Sequence, residues 1–373
     1  MRKCLLKDVC LDFIVPQRDK PKVFDGDIPW CRIEDIEGRY LNGSKSGRKV
    51  SKEIADRMNM HLCPKGSVIC ACSASIGNQA ITTVDCYTNQ TFIGIVPNPE
   101  LLDNVYLYYF FAAQAEVLKG MGQGATIKYI SQDKFKSMPI PVPSLPEQQR
   151  IVDILDQEFA KIDALKANAE KSLQAAKDLF QATLKKELEP KKEWEELAIP
   201  EVSENLDSKR VPITKSVREN GHYPYYGASG IVDYVADYIF DEPLLLVSED
   251  GANLLARSTP IAFSIEGKVW VNNHAHVLRF DDYKKQKFVE YWFAGNDISS
   301  LITGAAQPKF NQKALNSIKI AFPMKEQEME DILDRLGEME GKSNSLQENY
   351  QKTLSLCDDL KQSLLRKAFN GEL

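Results

Sequence analysis

The chain has 373 residues, 43% of them hydrophobic and 27% charged, and carries a formal net charge of −6. That length accommodates two ordinary domains with further elements, and the composition is that of a globular protein. No window approaches the roughly 18 apolar residues of a membrane span, and the start Met1-Arg2-Lys3-Cys4-Leu5-Leu6 lacks a signal-peptide stretch; with no strongly basic surface to announce nucleic acid, a cytoplasmic protein with local basic patches at most is expected.

In chain order, residues 1–145 read as a first mixed α/β domain. Strand-like runs stand at Gly66–Cys70 and Phe92–Val96, separated by the turn residues Ser75-Ile76-Gly77-Asn78. An aromatic helix is expected at Tyr106–Phe111, closing in Gly120-Met121-Gly122-Gln123-Gly124, with a short β-like run at Thr126–Ile130. Those glycines follow a helix and precede a strand, the reverse of a phosphate cradle, and read as a turn. Seven of the eight cysteines precede residue 90. Without a Cys-x-x-Cys they read as small buried hydrophobes in a reducing compartment, a zinc site from His61, Cys63, Cys70 and Cys72 being the weaker reading. Prolines between 139 and 146 stiffen the exit and hold off helix until Pro146.

A first long helix is expected over 146–190. Ile151, Leu155, Phe159, Ile162, Leu165, Ala169, Leu173, Ala176, Phe180, Leu184 and Leu188 recur at intervals of three and four, and about 40 residues at 1.5 Å each would reach about 60 Å. Residues 191–324 then form a second α/β domain, with strands at Leu244–Val247, Pro260–Ser264 and Lys268–Val271. Its aromatic helix, Phe288–Phe293, matches Tyr106–Phe111 in type and position. Thr303-Gly304-Ala305-Ala306 stands where the glycine turn stood. A terminal helix is expected over 325–373, striped by Ile332, Leu336, Met339, Leu346, Tyr350, Cys357, Leu360 and Leu364. The two helical segments carry the whole charge excess, −2 and −4. Two stripes this long most simply bury each other as an antiparallel coiled coil; packing of each along its own domain is the alternative.

The halves repeat one another. Ser131-Gln132 through Ser137-Met138-Pro139-Ile140-Pro141-Val142-Pro143 aligns with Asn311-Gln312 through Ser317-Ile318-Lys319-Ile320-Ala321-Phe322-Pro323. Both continue into Glu-Gln (Glu147-Gln148, Glu326-Gln327) and Asp-Ile-Leu (Asp153–Leu155, Asp331–Leu333) before the long helix. Such self-similarity signals one duplicated unit, suited to a target with two parts.

Residues that could meet DNA occur in both halves. Lys45, Arg48, Lys49 and Lys52, and Lys209, Arg210, Lys215 and Arg218, can grip phosphates, or simply be solvated. Asn89 and Gln90, and Asn272, Asn273 and His274, follow strand-like segments; amides there suit base edges and equally suit turns. His274-Ala275-His276 reads as two imidazoles on one face of a strand, with no third metal ligand nearby in sequence. Walker loop, His-Glu-x-x-His and the Asp/Asn-Pro-Pro-aromatic run of amino-methyltransferases are all missing, so nothing in the sequence builds an active site.

Taken together, the duplicated junctions at 139–155 and 318–333, the ending Ser363-Leu364-Leu365-Arg366-Lys367-Ala368-Phe369-Asn370-Gly371-Glu372-Leu373, and the stretches Tyr223-Pro224-Tyr225-Tyr226-Gly227-Ala228-Ser229-Gly230, Glu249-Asp250-Gly251-Ala252-Asn253-Leu254 and Trp270–His276 make the chain resemble the specificity subunit of Type I restriction-modification enzymes over essentially its full length. The resemblance implies an α/β (α+β) fold with two similar target-recognition domains, 1–145 and 191–324, in pseudo-two-fold arrangement. Antiparallel helices at 146–190 and 325–373 would separate them as a ruler for the unread spacer. Each domain would read half of a bipartite double-stranded DNA target in the major groove. Two methyltransferase subunits would dock on the chain, joined by restriction subunits. S-adenosylmethionine, ATP and Mg2+ would belong to those partners, with no cofactor, metal or catalytic residue on this chain.

The DNA-contact candidates are Lys45, Arg48, Lys49, Asn89, Gln90 and Lys128 in the first half, and Lys209, Arg210, Tyr225, Tyr226, Asn253, Asn272, Asn273, His274, Lys309 and Asn311 in the second. Helix pairing is assigned to Ile151, Leu155, Phe159, Ile162, Phe180, Leu336, Leu346, Tyr350, Leu360 and Leu364. Two other classes of function stay open: a self-contained DNA methyltransferase or nuclease, and a coiled-coil scaffold.

Overall fold

The computed structural model describes residues 3–122, 128–304 and 306–373. The readings placed on Gln123, Gly124, Thr126, Ile127 and Ala305 lie outside the described residues. The chain divides into two compact units, Met1–Asn168 with Thr353–Leu373, and Ala169–Lys352. These boundaries run through the long helices rather than at their ends, because each helix end is part of a unit's core.

In the first unit a five-stranded sheet runs in the order 10–14, 92–97, 68–71, 79–82, 40–41. Its centre, Val68–Ala71, is buried at every residue. Alternation along the strand sends Val68 and Cys70 to one core, with the aromatic helix, and Ile69 and Ala71 to another, with Cys31, Cys63 and Cys86. Cys63 therefore lies on the opposite face from Cys70 and Cys72, and His61 is exposed, so the four do not converge on a metal. The aromatic helix spans Asn104–Ala113, capped by Asp103, whose side chain accepts from Val105 N and Tyr106 N. Strand Ile28–Cys31 pairs with 49–50 on one side and, in parallel, with 87–88 on the other.

The second unit follows the same plan. Strands 204–205, 275–279, 244–248 and 262–265 form one sheet, and 230–235, 220–227, 268–271 and 240–241 a second. Helix Tyr283–Gly295 packs Phe288, Val289, Tyr291 and Phe293 into the core. In both units a two-stranded ribbon leads into a long helix: Lys3–Leu5 with Pro139–Pro141, and Glu195–Ala198 with Lys319–Phe322. Leu6 N donates to Met138 O, and Ile199 N to Ile318 O, at equivalent places. Given that register, Pro139 and Pro141 occupy the alternate positions that owe the ladder no N–H, which is why a proline-rich segment serves as a strand here.

The long helices span Leu145–Glu187 and Glu326–Asn370. Within the first unit they run antiparallel, with Lys361 on Asp163 and Lys166 on Asp358 at 2.8 Å. Within the second, Arg335 meets Glu187 at 2.7 Å and Ser343 Oγ donates to Ala176 O at 3.2 Å. Pairing is not the whole of their burial. Ile151, Val152, Leu155, Leu365, Ala368 and Phe369 share the first core with Tyr106 and Phe110, while Leu184, Leu188, Met329, Ile332 and Leu336 share the second with Phe288 and Tyr291. Both expected modes of packing thus occur together.

Two residues assigned to the seam lie off it: Leu346 is 41% exposed and Leu360 48% exposed, and Leu165 on the first helix is likewise exposed. The 3–4 spacing passes instead through Ser343, Gln347, Tyr350, Cys357, Lys361 and Leu364. Apolarity misleads there because small and amphipathic side chains keep the register. Among the described residues no helix is long and apolar enough to cross a membrane.

Candidate nucleic-acid interface

One edge of each unit is assembled by the same backbone links. In the first unit Cys72 N donates to Thr91 O at 2.8 Å, Ile130 N donates to Cys72 O at 2.8 Å, and Ser73 bridges Tyr129. In the second, Glu249 N donates to His274 O at 2.9 Å, Phe310 N donates to Glu249 O at 2.7 Å, and Asp250 bridges Lys309. The loop after the central strand, the amide-bearing turn and the segment before the short duplicated helix are thereby locked together. That helix spans Gln132–Lys136 in one copy and Gln312–Asn316 in the other; Asn311 Oδ1 accepts from Ala314 N at 3.0 Å, whereas Ser131 stands at the same position without a side-chain cap bond. Asn311 is therefore a helix cap.

In the second unit the side chains left facing solvent at this edge include Asn273, His274 and Lys309. His274 Nδ1 lies 2.9 Å from the Asp250 carboxylate, a partner that the sequence reading did not single out. Asn273, His274 and Asp250 offer donors and acceptors of the kind that discriminate base edges in a major groove, and Lys309 a cation of the kind that grips phosphate.

Beneath them lies an ionic brace. Arg210 donates through Nη1 to Glu249 Oε2 at 2.7 Å and to Ala275 O at 2.7 Å, and through Nε to Asp207 O at 3.0 Å. His276 places Nδ1 2.6 Å from Asp207 and Nε2 2.8 Å from Phe310 O. Asp207, Glu249 and His276 have the spacing of a metal-ligand set, but the Arg210 guanidinium already supplies the positive charge among them, so the cluster is an ion-pair network. Burial pushes the Asp207 carboxyl upward, yet the bonds from His276 and Val277 N and the Arg210 charge hold it below its usual value. Arg210 is a fastener of the edge rather than a free cation, its side chain only 12% exposed.

Several other sequence candidates are also turned inward. Tyr225 is buried; its hydroxyl accepts from Ile213 N at 3.0 Å, and Arg218 lies 4.3 Å over its ring. Asn272 accepts from His274 N at 2.8 Å, Asn89 accepts from Thr91 Oγ1 at 2.6 Å, and Asn253 binds Thr259 and Ser258. Each holds a turn, the second use that amides at these positions always had. Tyr226 is half-buried against Phe263.

In the first unit the edge presents Gln90, Lys128 and Tyr129, the last 43% exposed. Among the described residues no charged brace lies below; Cys72 fills the place of Glu249, its thiol directed at Gln90 O. Lys45, by contrast, binds Glu37 and Ile36 O, and Arg48 stacks 5.6 Å from the Phe24 ring. Lys45, Lys49 and Lys209 are exposed on neighbouring loops and strands. Tyr129 was missed as a site residue, although extending the repeat two residues upstream of Ser131 and Asn311 sets it opposite Lys309.

Comparison with known proteins agrees with this duplicated construction. The model of the Type I restriction modification DNA specificity domain matches twice, over residues 6–175 and 191–348. The chain belongs to that family. Similar members include a putative type I restriction enzyme specificity subunit of Haemophilus influenzae, 31% identical over 131 residues, 35% of this chain and 33% of that one. The MjaIX specificity subunit of Methanocaldococcus jannaschii is 31% identical over 143 residues, 38% of this chain and 33% of its own. Alignment to these two spans about a third of their length; the EcoprrI specificity subunit of Escherichia coli aligns over 84% of this chain and 81% of its own at 25% identity. The fold is shared with a chain solved in work on assembly and conformational transition of a type I R-M system, with TM-score 0.77 and 16% identity over 100% of this chain and 98% of that one. It is shared also with the HsdS subunit of Thermoanaerobacter tengcongensis, with TM-score 0.55 and 16% identity over 100% and 97% of the two chains.

Proposed function

We propose that this chain is the noncatalytic DNA-recognition subunit of a Type I restriction-modification complex. Each globular module reads one part of a bipartite duplex target, and the paired helices set the unread spacer and dock the methyltransferase subunits. S-adenosylmethionine, ATP and Mg2+ act on those partners and on restriction subunits. The observation that carries the reading is the repeated edge: the same backbone links occur in both units, presenting different polar side chains. A fixed frame with variable side chains is what sequence readout requires, since base specificity comes from a few groups at set positions.

The test is DNA binding by the complex assembled with partner subunits. Asn273→Ala should weaken binding to the cognate duplex, found by mapping methylation in the host genome, and leave S-adenosylmethionine binding unchanged. Methyl transfer or cleavage by the purified chain alone would instead favour a self-contained enzyme.

A further inference from the structure

The two units differ beside the reading edge. In the first, the strand ending at Cys31 and the strand beginning at Lys49 are joined by a segment that contributes strand 40–41 to the five-stranded sheet; in the second, their counterparts form a tight hairpin, 220–227 with 230–235. Gly227 pairs with Gly230, leaving only Ala228 and Ser229 as the turn, and Gly230 takes a φ of +119° that favours glycine. The register slips just below: Tyr226 pairs with Ile231 but Tyr225 with Asp233, so Val232 is the extra residue of a β-bulge. A bulge bends its strand and re-aims the side chain it carries.

That side chain is aimed at the reading edge. A methyl group added to Gly227 would lie 3.0 Å from Val232 Cγ1 and 3.4 Å from Asn272 Nδ2, so the bulged valine and the amide turn flank the same glycine. Ser248 Oγ ties the hairpin tip, at Ala228 O, to the strand that enters the Glu249–Asp250 loop. Ile231 is 47% exposed and Val232 56% exposed, because the bulge interrupts the alternation that would turn one of them inward. Two adjacent apolar side chains are thus open to solvent on 230–235, the edge strand of its sheet, next to the tip that Ser248 holds.

The apolar feature that a protein meets in the major groove of duplex DNA is the thymine methyl group. We infer, resting on the function proposed above, that Val232, with Ile231 beside it, reads thymine methyl groups in the half-site bound by the second unit. Asn273 and His274 supply the polar part of the same reading.

The experiment uses the assembled methyltransferase complex and its cognate duplex, with each thymine of the two half-sites replaced in turn by uracil, which removes only the methyl group. Uracil at one or more positions of one half-site should weaken wild-type binding about fourfold, the equivalent of ~0.8 kcal/mol for one buried methyl-sized group. The Val232→Ala complex should bind the thymine duplex about as weakly and be indifferent to the exchange. Because Val232 is exposed, its truncation leaves the core intact. Wild-type indifference to uracil at every position would overturn the inference, as would a half-site with no A·T pair. So would a Val232→Ala complex that binds DNA normally but loses a partner subunit, which would make the hairpin a protein contact. A wild-type complex without sequence-specific DNA binding would sink the underlying function itself, an outcome separate from loss of uracil sensitivity alone.

Discussion

Arg210 and Lys309 flank the same carboxylate, Glu249, but from opposite sides of the surface, and their replacement should separate stability from DNA binding. Arg210→Met keeps the length of the side chain and removes every donor. It strips the guanidinium from Glu249 and Asp207, whose side chains are 14% and 10% exposed. Removing one partner of a buried pair costs about 3–5 kcal/mol, and the lower end applies because His276 and Lys309 remain nearby. At about 2–4 °C per kcal/mol for a body of 150–250 residues, the melting temperature should fall by about 6–12 °C. Lys309 is 55% exposed and 3.4 Å from Glu249, a surface pair that contributes little, so Lys309→Met should barely move it. Titration of the assembled complex with DNA across a salt series gives the complementary reading. Loss of one phosphate contact lowers the slope of log K against log salt by about 0.9; that change is expected for Lys309→Met and not for Arg210→Met. An Arg210→Met protein of unchanged melting temperature and reduced slope would refute the brace.

The helix seam makes a second prediction. Leu336→Ala, at a wholly buried position, should cost about 2–5 kcal/mol, whereas Leu346→Ala at an exposed one should stay within about 0.5 kcal/mol, as read by urea unfolding. A third concerns pH. The folded-state pKa of Asp207 is lowered, so its contribution is present at neutral pH and is lost as pH falls through the acid range below the usual carboxylate value. Asp207→Asn should flatten that acid limb in melting curves taken between neutral pH and about pH 3; an unchanged limb would exclude the group.

The sequence carried the architecture because the architecture rests on patterns. Three-four spacing marks the long helices, and the duplicated Gln-to-Pro segment marks the short helix and the strand behind it. Spacing also set the limit: counting apolar residues chose Leu346 and Leu360, while the register runs through Ser343 and Lys361. The reading edge was only partly legible, since an Asn in sequence does not say whether its amide faces solvent, as at Asn273, or a backbone N–H, as at Asn272. Arg210 looked like a phosphate ligand because its neighbours Lys209 and Lys215 are basic. Its acidic partner Glu249 lies 39 residues away, and only the fold brings it within 2.7 Å.

The links that build each edge run through main-chain N–H and C=O groups, and such links demand no particular side chain. Cys72 and Glu249, Ser73 and Asp250, and Tyr129 and Lys309 can therefore occupy equivalent places without disturbing the frame. Where an ionisable side chain does turn inward, the fold answers locally: Glu249 brings Arg210 and Asp207 brings His276, while the first unit, with a thiol in the same place, needs no such network. Exchange of readers on this scaffold is thus limited not by the frame but by what lies under it. A charge facing inward must travel with its counter-charge, because a lone buried charge costs more than any single contact at the edge can return, whereas the outward positions, Gln90 and Asn273 among them, are free to change one at a time.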